Sequence, residues 1–189
     1  MVAKASTIMV IRHAEKPGGR FAGVTEWGDT SARDLSVRGW QRAGALCCLF
    51  APAYGPLQNA LLAKPAFIFA SASVDDPTPG NSRSRRSQET VSPLAQRIGV
   101  EVDLRFSKGE ERALAEAALA CPGPVLIAWQ HENISTIAHA ILGARIAPQI
   151  WPPDRFDLIF VFTLDAAAGT YRFAQVPQCL LAGDWPDPI

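Results

Sequence analysis

Two arginines and two histidines carry the chemistry that can be read from this chain. Arg12 and His13 stand together in Ile11-Arg-His-Ala-Glu-Lys16, directly after the apolar run Ser6-Thr-Ile-Met-Val-Ile11. A run of that length and β-branched content reads as a buried strand, so the Arg-His pair falls where the strand ends and a loop begins. Arg86 precedes a helical pattern, and His131 follows the apolar run Val125-Leu-Ile-Ala-Trp129. Ligand sites in open α/β sheets lie outside the carboxyl ends of the strands. A guanidinium presents a rigid fork of donors to phosphate oxygens, and an imidazole can attack as a neutral base. The four residues therefore suit a phosphoryl group.

The elements that must position them alternate. After the first strand comes a long glycine-rich stretch, 17–34, whose length marks it as functional. Ser36 is a good N-cap for an amphipathic helix over 37–50, with Val37, Trp40, Cys47 and Phe50 on its apolar face. Residues 57–63 are expected as a short helix and 66–70 as a buried strand. The turn-rich 75–81 leads to the basic run Arg83-Ser-Arg-Arg86. There Arg83 and Arg85 read as solvated charges, and only Arg86 is given a role. Ser87 is expected to cap a helix to Gly99, with Pro93 tolerable in the first turn alone. A strand over 100–106, a helix over 110–120, the strand 125–129 and a helix over 134–142 follow. Residues 158–164 and 170–176 form a hairpin through Ala168-Gly169. The expectation is one α/β domain over residues 1–189: a three-layer α/β/α sandwich with a mostly parallel central sheet and a C-terminal hairpin.

Composition sets bounds on function. The 189 residues are 48% hydrophobic and 19% charged, with 18 basic and 18 acidic side chains. Zero net charge argues against nucleic acid or an anionic membrane surface as main partner. No apolar run approaches the roughly 18–20 residues of a membrane span. The first twelve residues lack the apolar core of a signal peptide. Cys47, Cys48, Cys121 and Cys179 show no Cys-x-x-Cys spacing, and the adjacent pair reads as helix packing; a reducing cytoplasm is the expected setting.

Four segments together resemble one family. Arg12-His-Ala-Glu15 resembles the Arg-His-Gly-Glu signature of the histidine phosphatase superfamily, with Ala14 in place of Gly. Leu35-Ser-Val-Arg-Gly-Trp-Gln-Arg-Ala43 is similar to its first-helix pattern, Leu-Thr-x-x-Gly-x-x-Gln/Arg-Ala. Arg86-Ser-Gln-Glu-Thr90 with Pro93-Leu-Ala95 resembles its Arg-Ala-x-x-Thr-Ala segment. Val125–His131 is similar to the strand that leads to its second histidine. The resemblance implies a phosphoglycerate mutase-like fold and a metal-independent phosphoric monoester hydrolase of histidine acid phosphatase type. It makes His13 the nucleophile of a phosphohistidine intermediate, and Arg12, Arg86 and His131 donors to the phosphoryl oxygens. It implies no cofactor and no metal, and a small phosphorylated substrate, with phosphate or vanadate able to occupy the pocket.

The proton donor to the leaving alcohol is open. Glu132 is favoured, because His131-Glu132 resembles the His-Asp pair of the acid phosphatase and phytase branch. Glu110 and Glu111 are the alternatives, lying about where the phosphoglycerate mutase branch carries its acid, and Glu15 ranks third. Lys16 stands where the phytase branch has a further phosphate-binding Arg. Two other readings compete: a catalytically weak member that binds a phosphorylated ligand, and a metal-dependent phosphoesterase using His13, His131, Asp75, Asp76 and Glu132. No metal-ligand spacing supports the second. His139 is expected at the surface, and Trp27, Trp129 and Trp151 as packing or rim residues.

Overall fold

A computed structural model describes residues 4–19, 21–73, 84–143 and 147–189. Four helices and six strands follow in the order β1 (Thr7–Arg12), α1 (Val37–Phe50), β2 (Phe67–Ala70), α2 (Arg86–Ile98), β3 (Val102–Asp103), α3 (Glu111–Leu119), β4 (Val125–Trp129), α4 (His131–Leu142), β5 (Leu158–Asp165) and β6 (Thr170–Pro177). The strands form one sheet in the order β3-β2-β4-β1-β5-β6. β3, β2, β4 and β1 run parallel, and β5 and β6 add an antiparallel edge. This is the expected mostly parallel sheet with its C-terminal hairpin.

The alternation of strand side chains makes three layers. Ile8 and Val10 of β1, Ile127 of β4 and Phe160 of β5 point to the face covered by α3 and α4 through Leu114, Ala118, Ile134 and Ile137. Met9, Ile11, Leu126 and Val161 point to the other face, where Leu46, Phe50, Val91 and Leu94 of α1 and α2 cover them. Burial on both faces explains why these strands read as continuous apolar runs.

This layering also creates the crevice. β1 and β4 are neighbours, with Arg12 paired to Trp129. The helices that follow them lie on opposite faces of the sheet. Chains that leave adjacent strand ends in opposite directions open a gap at the carboxyl edge. His13 and His131 are the first residues beyond those two strand ends.

Several local expectations are corrected. Residues 57–63 form turns and no helix. The Asn59 side chain accepts from Leu61 N at 2.9 Å, and its carbonyl accepts from Leu62 N at 3.1 Å, so local bonds compete with the helical ladder. The strand expected over 100–106 shrinks to the two-residue edge strand β3. Helix α2 starts at Arg86 rather than after Ser87, and Pro93 lies inside it. Burial of Thr90, Val91, Leu94 and Ala95 on both sides of Pro93 holds the helix through a residue that costs about 3 kcal/mol in a helix interior. Helix α4 begins at His131, three residues before the expected start. Cys48 is exposed rather than packed, and Val37 is 60% exposed. The turn 75–81 and Arg83 lie outside the described residues.

Candidate active site

The loop after β1 is held from three directions. His13 N donates to Trp129 O at 2.9 Å, and Ala14 N donates to the Thr90 hydroxyl at 2.7 Å. Thr90 in turn donates to Arg86 O at 2.6 Å, so the residue after the histidine is tied to the start of α2. Helix α1 closes on the loop from the other side. Ser36 N and its hydroxyl donate to Glu15 O at 2.9 and 3.1 Å, and the same hydroxyl accepts from Gly39 N. A Cβ on Gly39 would stand 2.5 Å from Glu15 O. This contact gives the Leu35-Ser-x-x-Gly39 pattern its physical reason: only glycine lets the helix approach so closely.

His13 is 6% exposed, and its Nδ1 lies 2.7 Å from Ala14 O. A carbonyl only accepts, so Nδ1 carries the proton and Nε2 keeps its lone pair. Burial, followed by the charges of Arg86, Arg12 and His131, pushes the pKa down to about 3 against the raising effect of the Ala14 bond. The imidazole is therefore neutral at physiological pH.

Arg12 is 1% exposed. Its Nη1 donates to Pro153 O at 2.7 Å, Arg155 O at 3.1 Å and Pro152 O at 3.4 Å. Its guanidinium carbon lies 3.7 Å from the centre of the Phe156 ring, which is also 6.1 Å from the His13 ring. Burial lowers the Arg12 pKa to about 10 and lowers that of Arg86 as well. Among the described residues, Arg12 Nε, Arg12 Nη2, Arg86 Nε and His131 Nδ1 are buried with no hydrogen-bond partner. Buried donors of this kind are expensive unless an acceptor meets them. Three such guanidinium nitrogens belong to arginines whose charges reach the neutral His13, a donor set suited to a tetrahedral anion.

His131 opens α4, and its Nδ1 lies 3.3 Å from Glu132 Oε2 without hydrogen-bond alignment. Burial and the Arg12 charge lower its pKa. The Glu132 carboxylate is 56% exposed. Its pKa is lowered: its own backbone bond and the charges of His131, Lys108 and Arg12 outweigh burial, which acts in the opposite direction. Lys16 is exposed, within electrostatic reach of His131.

The other acids are engaged elsewhere. Glu15 binds Arg42 at 2.8 Å and Arg38 at 3.1 Å. Glu110 accepts from Ser107 N and its hydroxyl, both at 2.8 Å. Glu111 is 4% exposed and accepts from Trp129 Nε1 at 3.1 Å and Gly109 N at 3.0 Å. Arg85 pairs with Asp34 at 3.1 Å. His139 is half-buried beside Gln149. Trp129 and Trp151 belong to the core, whereas Trp27 is 84% exposed. Among the described residues no three His, Cys, Asp or Glu side chains cluster as metal ligands; Asp75 and Asp76 lie outside them.

The sequence marks 151–157 only as a stretch that could help choose a substrate, with no role for Phe156 or for the carbonyls of 152, 153 and 155. They come from a loop far from the motifs, and no spacing announces them. Thr90 was legible as part of a motif, but its bond to Ala14 N was not.

The chain is an α/β/α sandwich with His13 and His131 at the carboxyl ends of two adjacent parallel strands. Solved structures share this fold. The chain superposes on a mycobacterial glucosyl-3-phosphoglycerate phosphatase complexed with VO3, with a TM-score of 0.54 at 14% identity, over 90% of this chain and 97% of that one. It matches the protein histidine phosphatase SixA complexed with tungstate at 0.51 and 13%, over 92% and 97% of the two chains. It matches a phosphoserine phosphatase mutant from Entamoeba histolytica in complex with phosphoserine at 0.50 and 13%, over 89% and 94%. The fold is therefore the histidine phosphatase fold. No protein-family model and no curated protein matches the sequence. Among the described residues no helix is long and apolar enough to cross a membrane.

Proposed function

We propose that this chain is a histidine phosphatase that hydrolyses a small phosphomonoester without a metal ion, through a phosphohistidine on His13. One observation carries the reading: His13 is buried and neutral, its Nδ1 proton is committed to Ala14 O, and buried guanidinium donors stand beside it. Nε2 attacks phosphorus and the P–O bond to the alcohol breaks. Arg12, Arg86 and His131 take the charge of the equatorial oxygens, which is where phosphoryl transfer needs it held. Water then cleaves the N–P bond, releases phosphate and restores the imidazole. Lys16 adds a point charge at the rim.

Glu132 is the proposed donor to the leaving alcohol. It is a carboxylate in the resting site, and a phosphoryl dianion beside it raises its pKa toward the protonated form. Glu111 is the runner-up, and its carboxylate is anchored by Trp129. The vanadate, tungstate and phosphoserine named for proteins of this fold are consistent with a tetrahedral anion at the same crevice. Hydrolysis of p-nitrophenyl phosphate tests the proposal. The expected result is activity that resists EDTA, yields to vanadate and disappears in His13→Ala. Activity lost to EDTA and retained by His13→Ala would overturn it, and a folded protein inert toward every ester would favour a phosphate-binding module.

A further inference from the structure

A groove of ≈ 660 Å³ lies between the segment after β1, the start of α1 and Pro153 and Phe156. Its apolar wall is Pro17, Phe21, Val24, Val37, Pro153 and Phe156. Two of these residues also build the phosphoryl site. The Phe156 ring stacks on the Arg12 guanidinium at 3.7 Å, and Pro153 O receives Arg12 Nη1 at 2.7 Å. The groove therefore shares its Pro153 and Phe156 wall with the phosphoryl site. Its outer wall shows large apolar surface to water: Phe21 is 70% exposed and Val37 is 60% exposed. Val37 opens α1 and faces the groove rather than the core.

The wall is a held shape. Gly18 and Phe21 exchange backbone hydrogen bonds of 3.1 and 3.0 Å, and Val24 N donates to Leu35 O at 2.8 Å. Trp40 Nε1 donates to Val24 O at 2.8 Å. A Cβ on Gly23 would meet Ser31 O at 2.1 Å and Asp34 O at 2.9 Å, so the segment is packed closely on itself. The charged groups of the lining are partly spent on one another, since Arg38 pairs with Glu15 and Asp184.

We propose that this groove binds the alcohol portion of the substrate, and that the preferred phosphomonoester carries an aliphatic body, such as a medium-chain alkyl monophosphate. The inference rests on the phosphatase reading above and specifies its substrate class. Lys16, Ser36, Arg38 and Gln41 also line the groove, but most of its surface is apolar, so a polyhydroxylated body would set hydroxyl groups against proline, valine and phenylalanine that cannot replace their water. An alkyl body loses nothing there and covers Phe21 and Val37.

The n-alkyl phosphates from ethyl to octyl test it, because their leaving alcohols are alike in acidity and differ only in apolar length. In the wild type, kcat/KM should rise with each methylene by up to about fourfold, the equivalent of about 0.8 kcal/mol, until the groove is filled. Phe21→Ser and Val37→Ser should each flatten that rise; both positions are exposed, so at least one variant can be read in a folded protein. Trp27→Ser, exposed on the same segment but outside the groove, should keep the slope. Constant kcat/KM along the series in an enzyme active on p-nitrophenyl phosphate would overturn the groove assignment and leave the phosphatase reading standing. A slope unchanged in both Phe21→Ser and Val37→Ser would do the same. No turnover of any ester would overturn both.

Discussion

Replacing Arg12 by methionine separates the role of this side chain in binding from its role in folding. The substitution keeps an unbranched stem and removes the charge. On the binding side, it deletes Nε and Nη2, two buried donors that have no hydrogen-bond partner among the described residues. Hydrogen bonds to charged groups contribute about 1.5–3 kcal/mol each, so vanadate affinity should fall by roughly 3–6 kcal/mol, about a hundredfold to ten-thousandfold. On the folding side, opposing effects nearly cancel. Burial that moves the Arg12 pKa from 12.5 to about 10 corresponds to a charge penalty of roughly 3 kcal/mol, which methionine removes. Against that, the carbonyls of Pro152, Pro153 and Arg155 lose their donor, at about 1 kcal/mol each. The stacking on Phe156 costs about 1 kcal/mol more. Net destabilisation should be on the order of 1 kcal/mol, a small part of a domain's stability. Calorimetric titration with vanadate and urea unfolding read the two quantities. Near-normal vanadate affinity in a folded Arg12→Met would refute the assignment of these nitrogens to the anion. Collapse of the fold would show that the carbonyl clamp dominates.

Other outcomes follow from the same geometry. If Glu132 protonates the leaving alcohol, Glu132→Gln should slow alkyl phosphates far more than aryl phosphates, and equal loss on both would remove it from that role. Asp184 and Glu15 share the buried Arg42 guanidinium at 2.7 and 2.8 Å; Asp184→Asn should cost about 3–5 kcal/mol in urea unfolding, and a change below 1 kcal/mol would show the network to be dispensable. Burial and a hydrogen bond shared with Asp34 push the Glu89 carboxyl up to about 8 from 4.5. The folded state then binds more protons than the unfolded one within that window, so stability should fall as pH rises through it. Glu89→Gln should flatten the decline, and an unchanged pH profile would contradict the assignment. His13 acts in the opposite sense. Its folded pKa of about 3 lies below the ordinary 6.5, so its neutral form stabilises the fold above 6.5 and that contribution fades as pH falls toward 3. Ring-nitrogen chemical shifts should stay those of a neutral imidazole at pH 5, and titration near 6.5 would contradict the buried neutral nucleophile.

The parts of this protein that were legible in its sequence are those where local pattern and tertiary role agree. β1 and β4 are buried on both faces, so their apolar runs read directly as strands, and His13 and His131 lie just past those runs, at adjacent strand ends. Gly39 and Thr90 were visible as motif letters, but their reasons are contacts across the fold: a helix pressed on Glu15 O and a hydroxyl that bridges Ala14 to Arg86. The failures have the same origin. Pro93 is tolerated mid-helix because the packed face of α2 outweighs the lost bond. Val37 fits the apolar period of α1 yet lies over the groove. Phe156 and the 152–155 carbonyls reach Arg12 through a long-range turn that has no sequence period, and nothing local distinguishes them from an ordinary proline-rich loop.

The central claim is that His13 carries the phosphoryl group. The most direct measurement is mass spectrometry of peptides from protein mixed with an aryl phosphate and quenched in alkali, where phosphohistidine survives. The account predicts a phosphoryl increment on the peptide that contains His13, absent from His13→Ala, and lowered in Glu132→Gln with alkyl substrates, whose leaving alcohol then lacks its proton donor. Steady turnover with no phosphoryl group on His13, or one found on another residue, would contradict the account.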